Sequence, residues 1–150
     1  MKIVLHKDFK EFVSLLNEHE VQYMLVGGYA VGFHGYPRYT GDLDIWFRST
    51  RDNAEKLITI LNIFGFSFSN LTVEDFLKED QFIQLGYEPF RIDLISSVSG
   101  LTFDEAYKHH VTIKIEDMDV VFIGLDDLIK NKRASGRTKD MNDVENLEEP

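Results

Sequence analysis

The chain has 150 residues, 43% of them hydrophobic and 28% charged, with a formal net charge of −10: enough for one domain with a proper core, and not the make-up of a disordered segment. It has no cysteine, which excludes disulfides and thiolate metal sites; no apolar run approaches the roughly 20 residues of a membrane span or forms a signal peptide, so a cytoplasmic location is expected. The acidic balance argues against extensive contact with a nucleic-acid backbone, which is held mainly by Lys and Arg, and better suits a cationic small molecule or a protein acceptor.

Asp8 with Glu11 has the form of a capping box, and Phe9, Phe12, Val13 and Leu16 recur at helical spacing, so a first helix runs to about His19. Val21 to Val26 reads as a buried strand ending at Gly27 and Gly28. Residues 28 to 36 predict one or two turns of helix, stopped by Pro37. A second strand follows and carries Asp42 and Asp44. Ser49 with Asp52 starts a third helix, whose apolar face is Ala54, Leu57, Ile58 and Leu61 and which ends before Gly65; it should cover the sheet face opposite the carboxylates. A short helix is predicted from about Thr72 to Lys78.

Phe82 to Tyr87 and Phe90 to Ser96 predict a hairpin turning at Glu88-Pro89. Phe103 to His109 reads as helix, and Val111 to Ile115 with Val120 to Ile123 as a second hairpin through Glu116-Asp117-Met118. A helical segment from Leu125, broken near Gly136 and resumed from Thr138 to Leu147, completes the chain, so residues 1–150 read as a single domain with 125–150 as its helical C-terminal part.

The chemistry concentrates in residues 25–48, LVGGYAVGFHGYPRYTGDLDIWFR. Side chains alternate along a strand, so Asp42 and Asp44 share a face about 7 Å apart, close enough to serve two divalent cations roughly 3.5–4 Å apart. Gly27 and Gly28 let backbone N–H groups approach an anion at the start of the next helix; a tight turn is the simpler reading of such a pair, and D-x-D occurs by chance in acidic proteins. Arg91 and Asp93 share one face of an otherwise apolar strand, a costly arrangement unless paired or metal-bound. Two readings stand: an Arg91–Asp93 contact on an exposed face, or a third metal carboxylate at Asp93, and the upstream D-x-D favours the second.

The histidines form no metal pattern, with His34 kept as a site-lining candidate. Lys130, Lys132, Arg133, Arg137 and Lys139 fall within ten residues near the end of the chain. They fit a solvated helix end near Gly136 or a counter-charge for a triphosphate, with Lys132, Arg133 and Lys139 as candidates.

Gly-Gly and D-x-D in this order, with thirteen residues between Gly28 and Asp42, resemble the hG[GS]…Dh[DE]h signature of the nucleotidyltransferases of the DNA polymerase β-like superfamily. RYTGDLDIWF is similar to their R-x-[TS]-x-D-h-D motif, and NKRASGRTKDMNDVENL at 131–147 is similar to the C-terminal segment of small bacterial members, including relatives of AbiE-type toxins. The resemblance implies an α/β protein of the α+β type, with a mixed, mostly antiparallel sheet and helices packed mainly on one face.

It further implies that Gly27 and Gly28 hold the phosphates of a nucleoside triphosphate, with Arg38 and Thr40 beside them, and that Asp42, Asp44 and Asp93 ligate metal. Two Mg²⁺ ions are expected, since every ligand is an oxygen. Asp93 would also take the acceptor's proton if it lies within hydrogen-bond reach. The implied activity is transfer of a nucleoside monophosphate to an acceptor hydroxyl with release of pyrophosphate. An RNA 3′ end such as that of tRNA, a protein side chain and a small alcohol all qualify as acceptor. Many members continue into a helical domain, so an antitoxin-like partner, a homodimer mate or the acceptor itself is expected to complete the cleft. A toxin that modifies RNA and a catalytically inert binding module are the other readings.

Overall fold

The computed structural model describes residues 5–37, 40–66, 70–87 and 89–148. Their order is α1 (Lys7–Glu18), β1 (Tyr23–Val26), α2 (Gly27–Phe33), β2 (Asp42–Phe47), α3 (Arg51–Phe64), a 3-10 turn (Val73–Leu77), β3 (Phe82–Leu85), β4 (Arg91–Ile95), α4 (Phe103–Tyr107), β5 (Val111–Ile115), β6 (Met118–Phe122), α5 (Leu125–Ser135) and α6 (Thr138–Glu148). None of the described helices is long and apolar enough to cross a membrane.

The six strands form one sheet in the order β3-β4-β2-β1-β6-β5. Three neighbouring pairs, β1/β2, β3/β4 and β5/β6, are antiparallel, and two, β1/β6 and β2/β4, are parallel. The sheet is therefore mixed and mostly antiparallel, as the resemblance implies. Parallel neighbours need long crossovers, and the β2–β4 crossover takes up α3, the 3-10 turn and β3.

Alternation along β2 sends Leu43, Ile45 and Phe47 to one face, all of them buried. Phe47 meets Phe76 of the 3-10 turn edge-on at 5.5 Å. Beside that turn lies α3, and α1 packs on α3 through the Phe12–Phe64 ring contact at 5.3 Å. The opposite face of β2 carries Asp42, Asp44 and Trp46. Trp46 is sealed by Phe103 of α4 at 5.3 Å and donates its indole N–H to the Ser96 carbonyl at 3.2 Å. One face of β2 is thus wholly apolar, while the other is apolar at one end and charged at the other.

Several boundaries differ from the sequence reading for local reasons. The cap of α1 is His6, whose Nδ1 accepts from the Asp8 backbone N–H at 3.2 Å, so Asp8 lies inside the first turn. Thr50, not Ser49, caps α3 by accepting from the Asn53 N–H at 3.3 Å. The predicted Thr72 start of the 3-10 turn carries the capping box, with Asp75 as its partner. Helix α4 stops at Tyr107, short of His109, because the chain reverses there to enter β5; the His110 ring stacks on Tyr107 at 4.3 Å as it turns. Of the predicted hairpin turn, Glu88 lies outside the described residues.

Candidate functional site

The parallel β2/β4 pair brings the charged residues together. Its register sets Asp42 opposite Arg91 and Asp44 opposite Asp93, and alternation puts all four side chains on one face. Val26, the last residue of β1, pairs with Asp44 from the other side of β2. The next residue, Gly27, therefore begins α2 directly against the Asp44 carboxylate.

Both glycines are required by close approach. Gly27 has φ +67°, and a Cβ there would lie 2.0 Å from Asp44 Oδ2. At Gly28 a Cβ would lie 2.5 Å from Thr40 Oγ1, and that hydroxyl in turn donates to the Asp42 carbonyl at 3.3 Å. The Gly-Gly pair and the D-x-D strand, separated in sequence, thus meet atom against atom.

Arg91 ties the carboxylates of the two strands. Its Nη2 donates to Asp42 Oδ2 at 2.8 Å and to Asp93 Oδ2 at 2.9 Å, and its Nε donates to Asp93 Oδ1 at 2.9 Å. Asp93 is only 2% exposed, and both of its oxygens accept from Arg91. The Arg91–Asp93 contact weighed from the sequence is therefore present, on a partly buried face that also carries Asp42 and Asp44.

Burial pushes the Asp44 carboxyl up to about 7, reinforced by the charge of Asp93, a hydrogen bond shared with it, and the charge of Asp42; Lys132 pulls the other way. The crowding of carboxylates thus favours the protonated form of Asp44. Asp42 Oδ1 is buried and has no hydrogen-bond partner.

Lys132 reaches this site from α5. It is 6% exposed and lies 3.2 Å from Asp140 Oδ1 and 3.3 Å from Asp143 Oδ2, both on α6 and both buried. Asp140 also accepts from Arg137 Nε at 2.7 Å and from the Ser135 hydroxyl. Burial raises its affinity for a proton, but the hydrogen bonds from Arg137, Ser135 and Lys132 outweigh this and hold its carboxyl down to about 2. Arg133 points elsewhere, onto Glu148 at 2.5 Å, and is half exposed. Lys139 is exposed, and Arg38 lies outside the described residues.

The sequence reading did not foresee that Asp140 and Asp143 are buried. A signal was available: 140, 143, 144 and 147 share one helical face, and Val144 and Leu147 on it are apolar and buried. His34, a site-lining candidate in the sequence, has its Nε2 2.7 Å from the Ile123 carbonyl oxygen, which ties the end of α2 to the residue after β6.

Among the described residues, no group of three or more His, Asp or Glu side chains is arranged closely enough to hold a metal ion as it stands, and Arg91 spans Asp42 and Asp93. The donor set nonetheless fits a hard divalent cation. It is all oxygen, drawn from two adjacent strands, and one of its oxygens, Asp42 Oδ1, is buried without a partner.

A mixed sheet with carboxylates in register on two parallel strands, beside a glycine-opened helix, has the organisation of a nucleotidyltransferase. The chain belongs to the family described as nucleotidyltransferase of unknown function (DUF6036), which it matches over residues 5–148. No curated protein matches it in sequence.

Its fold is similar to those of several solved structures, three of which are as follows. The lincosamide antibiotic adenylyltransferase LnuA, lincomycin-bound, is 17% identical at a TM-score of 0.57, covering 97% of this chain and 98% of that one. A nucleotidyltransferase from Thermotoga maritima, TM1012, is 14% identical at 0.60, covering 91% and 88%. The antibiotic-resistance factor ANT(2'')-Ia is 11% identical at 0.58, covering 93% and 80%. At these identities the likeness is one of fold.

Proposed function

We propose that the chain transfers a nucleoside monophosphate from a nucleoside triphosphate to a hydroxyl of a small polyhydroxylated molecule, with Mg²⁺ bound, releasing pyrophosphate. The observation that carries this reading is the in-register pairing of Asp44 with Asp93, with Asp42 on the same face and Gly27 against the Asp44 carboxylate. Asp42, Asp44 and Asp93 would hold the two Mg²⁺ ions, which would supply positive charge for an in-line displacement.

The remaining work falls to the chain's own groups. Gly27 and Gly28 offer backbone N–H groups to the triphosphate, with Thr40 packed beside Gly28, and Arg38 is assigned to the same phosphates from its place in the motif. Lys132, fixed by Asp140 and Asp143, directs positive charge toward Asp44 and the phosphates; Arg133, paired with Glu148, and Lys139, exposed, are given no part in this. The acceptor oxygen forms its bond to the α-phosphorus as the bond to the pyrophosphate oxygen breaks, and its proton passes to solvent water.

A small acceptor is favoured over RNA by the net charge of −10, which repels a polyanion and attracts a cationic ligand. The likeness to LnuA, nearly end to end in both chains, supports the same choice. The test is incubation with each α-labelled nucleoside triphosphate, Mg²⁺ and a panel of lincomycin, other polyhydroxylated antibiotics and tRNA. Labelled small-molecule product from wild type, reduced more than about 100-fold in Asp44→Asn, is expected, as for loss of a group acting on the transition-state charge. Labelled tRNA would overturn the acceptor, and failure to bind any nucleotide would overturn the activity.

A further inference from the structure

We propose that Arg91 is a built-in counter-cation of the carboxylate site, occupying the bridge between Asp42 and Asp93 that a divalent cation must take from it on binding. This rests on the metal-dependent reading above and adds a residue that the signature motifs do not contain.

The strand register makes the bridge. Arg91 stands opposite Asp42 and two residues before Asp93, so its guanidinium lies over the seam between β2 and β4, where strands are about 4.8 Å apart. From there its Nη2 reaches both Asp42 Oδ2 at 2.8 Å and Asp93 Oδ2 at 2.9 Å, while Nε takes Asp93 Oδ1 at 2.9 Å. The planar fork can satisfy two carboxylates at once, which the point charge of a lysine cannot.

Three carboxylates on one partly buried face repel each other, and the charge nearest to them in these contacts is Arg91. Lys132 is engaged with Asp140 and Asp143 on α6. Without Arg91, Asp42 and Asp93 would meet Asp44 with no bridging cation from their own face. The arrangement is incomplete as a final state, however, because Asp42 Oδ1 remains buried without a partner. Asp42 Oδ2 and both Asp93 oxygens, which the guanidinium holds, are among the oxygens with which these residues would hold a divalent cation. The Arg91 side chain is 22% exposed, so a path to solvent is open when it yields. The two cations compete: Arg91 keeps the nucleotide-free site folded and lowers its affinity for metal alone.

The test uses the full chain without nucleotide. Mn²⁺ is titrated into wild type, Arg91→Met and Arg91→Lys, with free Mn²⁺ read by electron paramagnetic resonance. Arg91→Met should bind about tenfold more tightly, because the charge-assisted hydrogen bonds that metal must break in wild type are gone; Arg91→Lys should fall between. In wild type alone, so that the result survives if a variant does not fold, the Arg91 Nε–H resonance should shift in step with a Mg²⁺ titration. Equal or weaker Mn²⁺ binding by Arg91→Met, or an unmoved resonance at Mg²⁺ saturation confirmed by calorimetry, overturns the inference and leaves the metal site standing. If wild type and both variants all fail to bind Mn²⁺, the carboxylate site itself is misread and the inference falls with it.

Discussion

Asp44→Asn separates the electrostatics of the site from its catalysis, because the effect is on folding and needs no substrate. In the folded protein, burial, the neighbouring Asp93, the hydrogen bond with it, and Asp42 push the carboxyl up from 3.8 to about 7. The unfolded chain releases its proton near the ordinary value while the folded chain retains it. Protonation therefore favours folding, and stability falls as pH rises from about 4 to about 7. Below about 4 the group is neutral in both states and contributes nothing; above about 7 the full penalty applies. Each unit is worth about 1.4 kcal/mol, so three units set a ceiling of about 4 kcal/mol, and solvent at the partly open rim reduces the expected figure to about 2 kcal/mol.

Asparagine keeps the shape and cannot ionise. Urea unfolding in EDTA should give equal stabilities for wild type and Asp44→Asn at pH 4, and a variant more stable by about 2 kcal/mol at pH 8. Adding Mg²⁺ at pH 8 should narrow the gap by stabilising wild type, as any ligand of the folded state does. Parallel stability-versus-pH curves, or a wild type that is the more stable protein at pH 8 in EDTA, would refute the reasoning.

Two further outcomes follow from packing and pairing. Gly27→Ala should lose about 2 kcal/mol in urea unfolding, from the strained positive φ and the clash with Asp44 Oδ2; a change below about 0.5 kcal/mol would mean that the carboxylate can move aside. Lys132→Met should cost about 3 kcal/mol, because it strips the shared cation from two buried carboxylates. Arg133→Ala, which removes a half-exposed pair with Glu148, should cost less than about 1 kcal/mol. Equal losses in these two variants would contradict the division of the basic stretch into a buried member and a solvated one.

That division bears on how the C-terminal segment works. The choice between a solvated helix end and a counter-charge does not apply to the basic run as a whole. Arg133, half exposed and paired with Glu148, fits the first reading. Lys132 sits on α5, buried between Asp140 and Asp143 of α6 and close enough to affect Asp44. The α5–α6 pair thus brings the Lys132 charge to the carboxylates and supplies the two buried aspartates that hold it in place.

Much of this was legible in residue order because it depends on short-range periodicity. The strand ending at Gly27, the alternation that puts Asp42 with Asp44 and Arg91 with Asp93, the apolar faces of α1 and α3, and the break at Gly136 all follow from backbone repeats of 2 and 3.6 residues. Cap positions were less legible, since His6 and Thr50 compete with near neighbours of similar capacity. What only the tertiary structure decided was register and reach. Nothing local states that β2 and β4 are parallel neighbours with Asp44 opposite Asp93, which is what turns Arg91 from a partner of Asp93 into a bridge to Asp42. Nor does it state that Gly27 closes on Asp44, or that α6 folds back to bury Asp140 and Asp143 around Lys132. These are contacts between residues from 8 positions apart, Lys132 and Asp140, to 49 apart, Asp42 and Arg91, set by how the elements pack rather than by any one segment's preference.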